Sequence, residues 1–342
     1  MRPSLLRLAE AQTALVQDYL VSQQIPLDIA DWKYFDSRFN RGQERGFVCM
    51  KENKVCGFLG LIPFKARKNA HTLECAWSCD WSVDASQVAG GMGIMLIKQA
   101  KEAYDAVFNV GGNENTRRIF PRLADRTVWD AGVSLVLPLR LGAILTKMAP
   151  RFLKAALARG KFLHHLPLKW VRPAAADDRV RIEPGVPAEI ASLFEDPGQA
   201  EWCPLYDYEY VRWQLVACPA VATWSCYIPA QPAPRAAAII WRSAASTDFW
   251  RLAFWGPRNA ADEAGLLIGR AIQFVYQQNG AALSAIASHL DEQLIGLLTA
   301  QGFLRRRARL PFYGMRGRHA KLAFDEFGVL SFLDADLPYR FD

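Results

Sequence analysis

The spacing of apolar residues in the first hundred positions predicts helices followed by strands. Apolar side chains recur at helical spacing over residues 5–21 and 32–39, which predicts two helices. Apolar and polar residues then alternate over 47–50 and 55–64, and this alternation is typical of a β-hairpin. A longer strand is predicted over 73–83, and it leads directly into a glycine-rich turn.

An amphipathic helix is predicted after that turn, over residues 94–104. Its apolar residues lie on one face and its charged residues on the other. A short strand over 106–110, a helix opened by residues 111–115 and a strand over 127–139 follow. This order of elements is that of one α/β domain.

The second half of the chain repeats this order of elements. Strands are predicted over 180–182, 223–228, 236–241, 249–255, 282–287, 305–314 and 328–333, and helices over 208–215, 264–277 and 289–300. Because the halves share an order of elements rather than residues, the pattern indicates an old duplication. We expect domains at 1–140 and 179–342, joined by a linker at 141–178.

Charge and cysteine content narrow the choice of ligand. The formal net charge is +7, and residues 140–172 contain eight Lys or Arg residues and no Asp or Glu. No nucleic-acid recognition motif accompanies this run, so anionic small molecules or phospholipid fit it better than DNA. The seven cysteines are scattered, which favours a reducing compartment, and no Cys or His cluster predicts a metal site.

The chain also has no sequence signal for crossing a membrane. No uncharged apolar run approaches the ~20 residues of a spanning helix, and the start lacks the features of a signal peptide. We therefore expect a cytoplasmic protein. The linker has one apolar helical face, so it either packs on the two domains or makes a peripheral contact, through 141–172, with the inner face of the membrane.

The glycine-rich turn between the strand and the amphipathic helix is suited to holding a phosphate. Backbone N–H groups converge at a helix N-terminus, where the helix dipole also favours negative charge. A Walker loop requires Gly-Lys-Ser/Thr, but Gly93 is followed by Ile94 and Met95. A dinucleotide fingerprint requires a glycine where Leu96 stands, which weakens that match.

The segment from Trp81 through the turn, with Phe108-Asn109-Val110-Gly111-Gly112 and Asn113-Glu114-Asn115-Thr116 after it, resembles the acyl-CoA binding core of the GNAT superfamily of N-acyltransferases. That core loop has the pattern Arg/Gln-x-x-Gly-x-Gly/Ala. Gly91 and Gly93 match its small positions, and Val88 stands where Arg or Gln is usual. The resemblance implies a donor site formed by Trp81, Val83, Val88, Ala89, Gly90, Gly91, Met92, Gly93, Ile94 and Asn115.

The same resemblance implies the fold and the co-substrate. It implies an α/β (α+β) fold of two tandem GNAT-like domains, each with a central, mostly antiparallel sheet flanked by helices. The co-substrate would be acetyl-CoA or a longer acyl-CoA, with an acyl carrier protein as the alternative donor and no metal. Only the first half contains the glycine turn, so the second half would be a degenerate copy.

In its second half the chain resembles the tandem GNAT proteins of polysaccharide and lipopolysaccharide gene clusters. The matching features include Tyr210-Val211-Arg212-Trp213 and Gln301-Gly302-Phe303. The resemblance implies transfer of an acyl group to the amine of an amino sugar linked to a nucleotide. Arg305, Arg307 and Arg309 alternate along a strand and are candidates for its diphosphate, or else form a basic edge strand. Trp213 is a candidate for stacking on the acceptor, or else a core residue.

Transfer of an acyl group to an amine needs an unprotonated amine, donors for the oxyanion and a proton for the thiolate. The resemblance places the oxyanion donor at the backbone N–H near Val83. Asp80 is the best-placed carboxylate for a base, with Glu74 and Glu114 as alternatives. Asp80 can equally be a structural acceptor, and Glu114 can cap a helix. Phe120 stands near the usual position of the family's acidic tyrosine.

Two other functions are compatible with the same sequence. The chain also resembles peptidoglycan aminoacyl ligases, for which aminoacyl-tRNA is the donor and the basic linker would contact RNA. Val88 and the missing acidic residue are also compatible with a non-catalytic protein that binds an acyl thioester or a membrane and scaffolds polysaccharide assembly.

Overall fold

The structure is a computed structural model that describes residues 3–39, 42–69, 71–88, 91–140, 178–194, 203–230, 232–246, 248–256, 261–289 and 291–318. The predicted linker, apart from its last residue, and the predicted strand at 328–333 lie outside these residues. Among the described residues, no helix is long and apolar enough to cross a membrane.

The first part of the chain folds largely as its apolar pattern predicts. It forms β1 (Ser4–Arg7), α1 (Thr13–Ser22), α2 (Leu27–Ala30), β2 (Gly46–Lys51), β3 (Lys54–Lys68), β4 (His71–Val83), α3 (Met92–Ala103), β5 (Ala106–Val110), α4 (Glu114–Leu123) and β6 (Arg126–Pro138). A π-helix over Asp31–Phe35 follows α2 directly. The helix predicted from residue 5 is wrong at its start, because residues 4–7 form β1, which pairs with β2.

The second part of the chain confirms the repeated order of elements. It forms β7 (Arg181–Pro184), β8 (Cys203–Leu205), α5 (Tyr208–Leu215), β9 (Val221–Tyr227), β10 (Ala237–Ser243), β11 (Phe249–Trp255), α6 (Ala261–Gln277), β12 (Ala282–Ser288), α7 (Glu292–Ala300) and β13 (Leu304–Arg316). The fold is therefore mixed α/β, with a large sheet flanked by helices.

One sheet contains strands from both parts of the chain. Its order is β1-β2-β3-β4-β5-β13-β6-β12-β11-β10-β9-β7, and β8 pairs with β3 beside this path. Only the pairs β4 with β5 and β11 with β12 are parallel among the described strands. β13 lies between β5 and β6, and β6 lies between β13 and β12. The two halves thus exchange strands in the middle of the sheet.

Helices cover both faces of the first half of the sheet. On one face, α3 buries Leu96, Ile97 and Ala100 in a cluster that also includes Phe120 of α4. On the other face, the cluster includes residues of α1, the π-helix and α5. The candidate site lies at the C-terminal end of β4, whose side chains contact the helices on both faces.

Candidate functional site

β4 and β5 are parallel strands that stop pairing before either one ends. Their register ends at the pair of Trp77 and Phe108, whereas β4 continues for six more residues and β5 for two. The side chain of Asn109 bridges the strands just past this pair, with Nδ2 donating to the Ser78 carbonyl oxygen at 3.0 Å. Beyond this bridge the described lengths of the two strands no longer pair, which leaves an opening between them.

A β-bulge at Asp80 changes the direction of β4 beside this opening. Asp80 has a φ of 48°, in the left-handed region that non-glycine residues seldom adopt. The register of β4 with β3 shifts between Cys79 and Ser82, on either side of Asp80. Bulges re-aim side chains, and backbone strain of this kind concentrates at functional sites.

The bulge divides the end of β4 between two faces of the sheet. The Tyr34 hydroxyl lies 3.4 Å from Cys79 Sγ and 2.6 Å from Asp80 Oδ2, so these consecutive residues contact the same side chain. Trp81 packs on the opposite face, with its ring 5.4 Å from that of Phe120. The Asp80 carboxylate and an aromatic floor, formed by the rings of Trp81 and Phe120, thus lie on opposite faces of one short strand segment.

Asp84 begins the glycine-rich turn with local hydrogen bonds. Ser86 donates from its backbone N and its Oγ to Asp84 Oδ1, at 2.9 and 2.6 Å, and these bonds hold the pKa of Asp84 below its usual value. Lys51 Nζ donates to the Gln87 carbonyl oxygen at 2.8 Å, which brings a cation to the turn that the sequence did not single out. The predicted Ala89 and Gly90 lie outside the described residues.

Gly91 makes the N-terminus of α3 available to an anion. It is the N-cap residue, its φ of 100° is left-handed, and no side chain caps the helix there. α4 differs, because the Asn113 side chain accepts from the Thr116 N–H at 3.0 Å. Of these two helices, α3 therefore has first-turn N–H groups that no side chain caps, and the anion site predicted there stays a prediction. Ile94, in the first turn, is 48% exposed.

Gly93 lets the Trp81 ring lie against the first turn of α3. A Cβ atom at position 93 would lie 2.7 Å from Cζ2 of Trp81, closer than real Cβ contacts. The second glycine of the motif is therefore required by packing between α3 and β4. It holds the aromatic floor against the helix N-terminus.

Val88 is an apolar anchor for the turn. It is 7% exposed and packs with Cys49 and Cys56, with Met92 and the half-buried Val83 against the same cluster. The position at which the resembled family has Arg or Gln therefore faces the hairpin of β2 and β3. Val88 therefore offers no charge to a phosphate, whereas Lys51 brings a cation to this turn within the described residues.

Asp80 forms a buried ion pair that sequence reasoning missed. Lys33 Nζ donates to Asp80 Oδ2 at 2.5 Å, and the Tyr34 hydroxyl donates to the same oxygen at 2.6 Å. The side chains of Lys33 and Asp80 are 1% and 8% exposed. Both donors come from the π-helix, and insertions of this kind frequently occur at functional sites. The run Trp32-Lys33-Tyr34-Phe35 offered a signal, since it places one lysine among aromatic residues.

Glu74 lies far from the glycine turn. Trp81 lies seven positions further along the extended strand, a distance of roughly 20 Å. Glu74 Oε2 lies 3.3 Å from Arg318 Nη2. Glu74 and Arg318 both line a cavity of 330 Å³ beside the C-terminal end of α3. The structure does not bring Glu74 together with Asp80.

Glu114 and Asn115 lie at the start of α4. Both are exposed, and Asn113 rather than Glu114 caps the helix. They follow β5 as the glycine turn follows β4, so they lie at the same edge of the sheet as α3's N-terminus.

The predicted acceptor residues of the second half lie in different environments. Arg305 is exposed on β13, and its backbone pairs with Leu135 of β6. The side chains of Arg307 and Arg309 lie outside the described residues. Trp213 is 4% exposed and stacks between Trp32 and Phe39, with ring centroids 4.6 and 4.2 Å away. Trp213 thus packs α5 against the π-helix that carries Lys33.

The described part of the chain contains no group of three or more His, Cys, Asp or Glu residues that could hold a metal ion.

No protein-family model matches this chain, and no curated protein matches its sequence. Solved structures do resemble it. A tandem GNAT protein from the clavulanic acid biosynthesis pathway has a TM-score of 0.55 at 12% identity, over 92% of this chain and 98% of that one. A probable N-acyltransferase from Enterococcus faecalis V583 has a TM-score of 0.59 at 10% identity, over 93% and 74%.

A third similar structure is N-myristoyltransferase of Saccharomyces cerevisiae with bound myristoyl-CoA and inhibitors. It has a TM-score of 0.57 at 10% identity, over 99% of this chain and 85% of that one. These likenesses show that the chain has the GNAT fold. More particularly, the structural match to the tandem GNAT protein extends over 92% of this chain.

Proposed function

We propose that this protein is an acyl-CoA-dependent N-acyltransferase. The observation that carries the proposal is one strand end that combines the opening between β4 and β5 with the uncapped helix N-terminus at Gly91. A helix N-terminus attracts phosphate, and an opening between strands admits a narrow chain. One elongated ligand with phosphates at one end and a reactive group at the other fits both. The GNAT fold supports this assignment.

In the proposed reaction the acceptor's amine nitrogen attacks the carbonyl carbon of the thioester. The C–N bond forms and the C–S bond breaks, so the thiolate leaves with one negative charge and takes up a proton, while the new ammonium group loses one. Negative charge develops on the carbonyl oxygen in between and needs N–H donors. The backbone N–H near Val83, at the end of β4, is our candidate donor.

Asp80 is our candidate for the group that orients the acceptor's amine and accepts its proton. Asp80 lies on β4 beside the opening between β4 and β5, and its carboxylate is on the opposite face of the sheet from Trp81. The acyl donor and the acceptor would therefore approach from different faces of the sheet. Lys33 and Tyr34 fix the orientation of the carboxylate through two hydrogen bonds to Oδ2. Glu74 lies roughly 20 Å from Trp81 along β4, which makes it a weaker candidate.

We further propose that the acceptor is the amine of a nucleotide-linked amino sugar used in surface polysaccharide synthesis. The support for this acceptor is the sequence resemblance to tandem proteins of polysaccharide gene clusters. Arg305, exposed on β13, is the proposed contact for the diphosphate together with Arg307 and Arg309 of the same strand.

Calorimetry with acetyl-CoA and longer acyl-CoA thioesters tests the donor. Gly91→Ala places a side chain at a φ of 100° and is expected to weaken binding. Gly185→Ala carries the same left-handed strain elsewhere, at a φ of 78°, and is expected to leave binding unchanged. Absence of binding to any CoA thioester by the unmodified protein would overturn the proposed activity.

Thiol release in the presence of a panel of amines tests the acceptor. We expect turnover with nucleotide-linked amino sugars and none with the corresponding N-acetylated sugars, which lack a free amine. Turnover confined to peptide amines or aminoacyl acceptors would overturn the sugar assignment and leave the acyltransferase activity intact.

A further inference from the structure

Three polar side chains on adjacent strands form a row on the face of the sheet that α3 and α4 cover. They are Ser78 of β4, Asn109 of β5 and Tyr313 of β13. Asn109 and Tyr313 are direct partners in the antiparallel register, so both side chains lie on the same face. Tyr313 packs in the same cluster as Leu96 of α3 and Phe120 of α4. This row lies where the pairing of β4 with β5 ends.

The row leaves hydrogen-bonding capacity unused. Asn109 Nδ2 donates to the Ser78 carbonyl oxygen and, at 3.2 Å, to Ser78 Oγ. Asn109 Oδ1 and the Tyr313 hydroxyl are buried, and within the described part of the chain neither has a hydrogen-bond partner. Trp81 Nε1, on the same face, is in the same state. Buried polar atoms without partners destabilise a folded protein, so a cluster of them requires an explanation.

These atoms define what a partner molecule must offer. Tyr313 and Trp81 donate and Asn109 Oδ1 accepts, so the complement contains a carbonyl-type acceptor and an N–H donor. An amide group provides both. The acyl thioester donor of the proposed function carries amide groups along the pantetheine arm, between its phosphates and its sulfur.

We propose that Tyr313 and Asn109 bind an amide of the pantetheine arm, so that the C-terminal segment of the chain completes the donor site of the N-terminal one. This inference rests on the proposed function. Trp81, which contacts the first turn of α3 at Gly93, lies on the phosphate side of the same path.

The packing around Tyr313 suits a fixed donor. Its ring lies 5.5 Å from that of Phe120 and 6.2 Å from that of Trp129, and the residue is 0% exposed. Burial raises the pKa of Tyr313, so the hydroxyl keeps its proton at neutral pH. Its position is set by β13, which enters the sheet beside β5 only because the two halves exchange strands.

Tyr313→Phe, compared with Tyr104→Phe, separates binding from structure. The two tyrosines share one apolar cluster, but the Tyr104 hydroxyl donates to the Glu44 carbonyl oxygen. Two probes are titrated by calorimetry: acetyl-CoA, and adenosine 3′,5′-bisphosphate, which lacks the arm. Thermal unfolding of each free protein is measured in parallel.

We expect Tyr313→Phe to weaken acetyl-CoA binding by about tenfold, the value of one hydrogen bond. It should leave the bisphosphate affinity unchanged and should not lower Tm, because it removes a hydroxyl that has no hydrogen-bond partner among the described residues. Tyr104→Phe should lower Tm and leave both affinities unchanged.

The outcomes distinguish the inference from the function on which it rests. If the unmodified protein binds neither acetyl-CoA nor any longer acyl-CoA thioester, the proposed function and the inference both fail. If it binds acetyl-CoA and Tyr313→Phe binds it equally well, only the inference fails. Equal weakening of both probes, or a drop in Tm like that of Tyr104→Phe, would assign Tyr313 a structural role and also overturn the inference.

Discussion

Asp80 owes its environment to two side chains that are distant in sequence. Lys33 and Tyr34 precede it by 47 and 46 residues, yet both donate to its Oδ2. A carboxylate this well buried is stable as an anion only with partners, since burial removes its water. The ion pair therefore constrains the β4 bulge and the π-helix together, whatever chemistry Asp80 performs.

Asp80→Asn should reduce both activity and stability. The substitution removes the carboxylate charge that lies 2.5 Å from the buried Lys33 ammonium, which costs about 3–5 kcal/mol of unfolding free energy. Urea unfolding measures this loss. The double variant Lys33→Met with Asp80→Asn should recover most of the stability, because neither position then carries a buried charge.

The double variant also separates catalysis from folding. If Asp80 receives the amine proton, the refolded double variant stays inactive in the thiol-release assay. Activity restored along with stability would show that Asp80 has only a structural role.

Buried thiols predict that stability falls at alkaline pH. Burial raises the pKa of Cys49, Cys218 and Cys226 to about 12, whereas thiols of the unfolded chain have a pKa of about 8.5. Above that pH the unfolded chain releases protons that the folded chain keeps, so the unfolding free energy decreases as pH rises. Urea midpoints at pH 8, 9 and 10 should fall steadily, and a flat or rising series would contradict this prediction.

At the scale of elements, the candidate functional site is the junction of β4 with α3. The bulge at Asp80 separates two faces, Gly91 leaves the helix N-terminus open, and Gly93 admits the Trp81 ring. α4 starts beside it with a side-chain cap, so it needs no ligand there. Two helices with similar sequence signals thus differ in what they can bind.

Gly93→Ala should disturb this junction. The new Cβ would lie 2.7 Å from Trp81 Cζ2, so the ring or the helix must move, at a cost of about 1–3 kcal/mol, with weaker acetyl-CoA binding. Gly296→Ala, in α7, is the matched control: it meets nothing within 4 Å and should stabilise the protein by up to about 1 kcal/mol. Urea unfolding and calorimetry compare the two, and equal effects would argue against the packing role of Gly93.

At the scale of the molecule, the exchange of strands joins the two halves. β5 obtains one neighbour from the second half, and both neighbours of β6 belong to it. On the other side of the sheet, Trp213 of α5 stacks on Trp32, and each indole N–H donates to the other residue's carbonyl oxygen. Neither half completes its own sheet.

A fragment of residues 1–140 should therefore fail to fold alone. It would leave β5 with an open edge and β6 with no neighbour among the described strands, and exposed strand edges promote aggregation. Gel filtration and circular dichroism of the fragment test this expectation, with co-expression of residues 178–342 as the rescue. A monomeric fragment with a cooperative unfolding transition would contradict it.

The sequence by itself determined most elements and the place of the glycine turn. Apolar periodicity is a local property of the sequence, so it predicted the hairpin of β2 and β3, the long β4 and helix α3. Gly91 and Gly93 marked the turn between β4 and α3. The repeated order of elements also indicated two similar halves. It did not separate Asp80 from Glu74, because both are single carboxylates in one predicted strand.

Only the tertiary structure decided which residues meet. It made residues 4–7 a strand, since pairing with β2 outweighed a helical pattern. It buried Val88 and Trp213, paired Asp80 with Lys33, and brought Tyr313 beside Asn109. These outcomes depend on long-range strand register and on the partners that buried charges require, and neither is encoded in the spacing of residues along one segment.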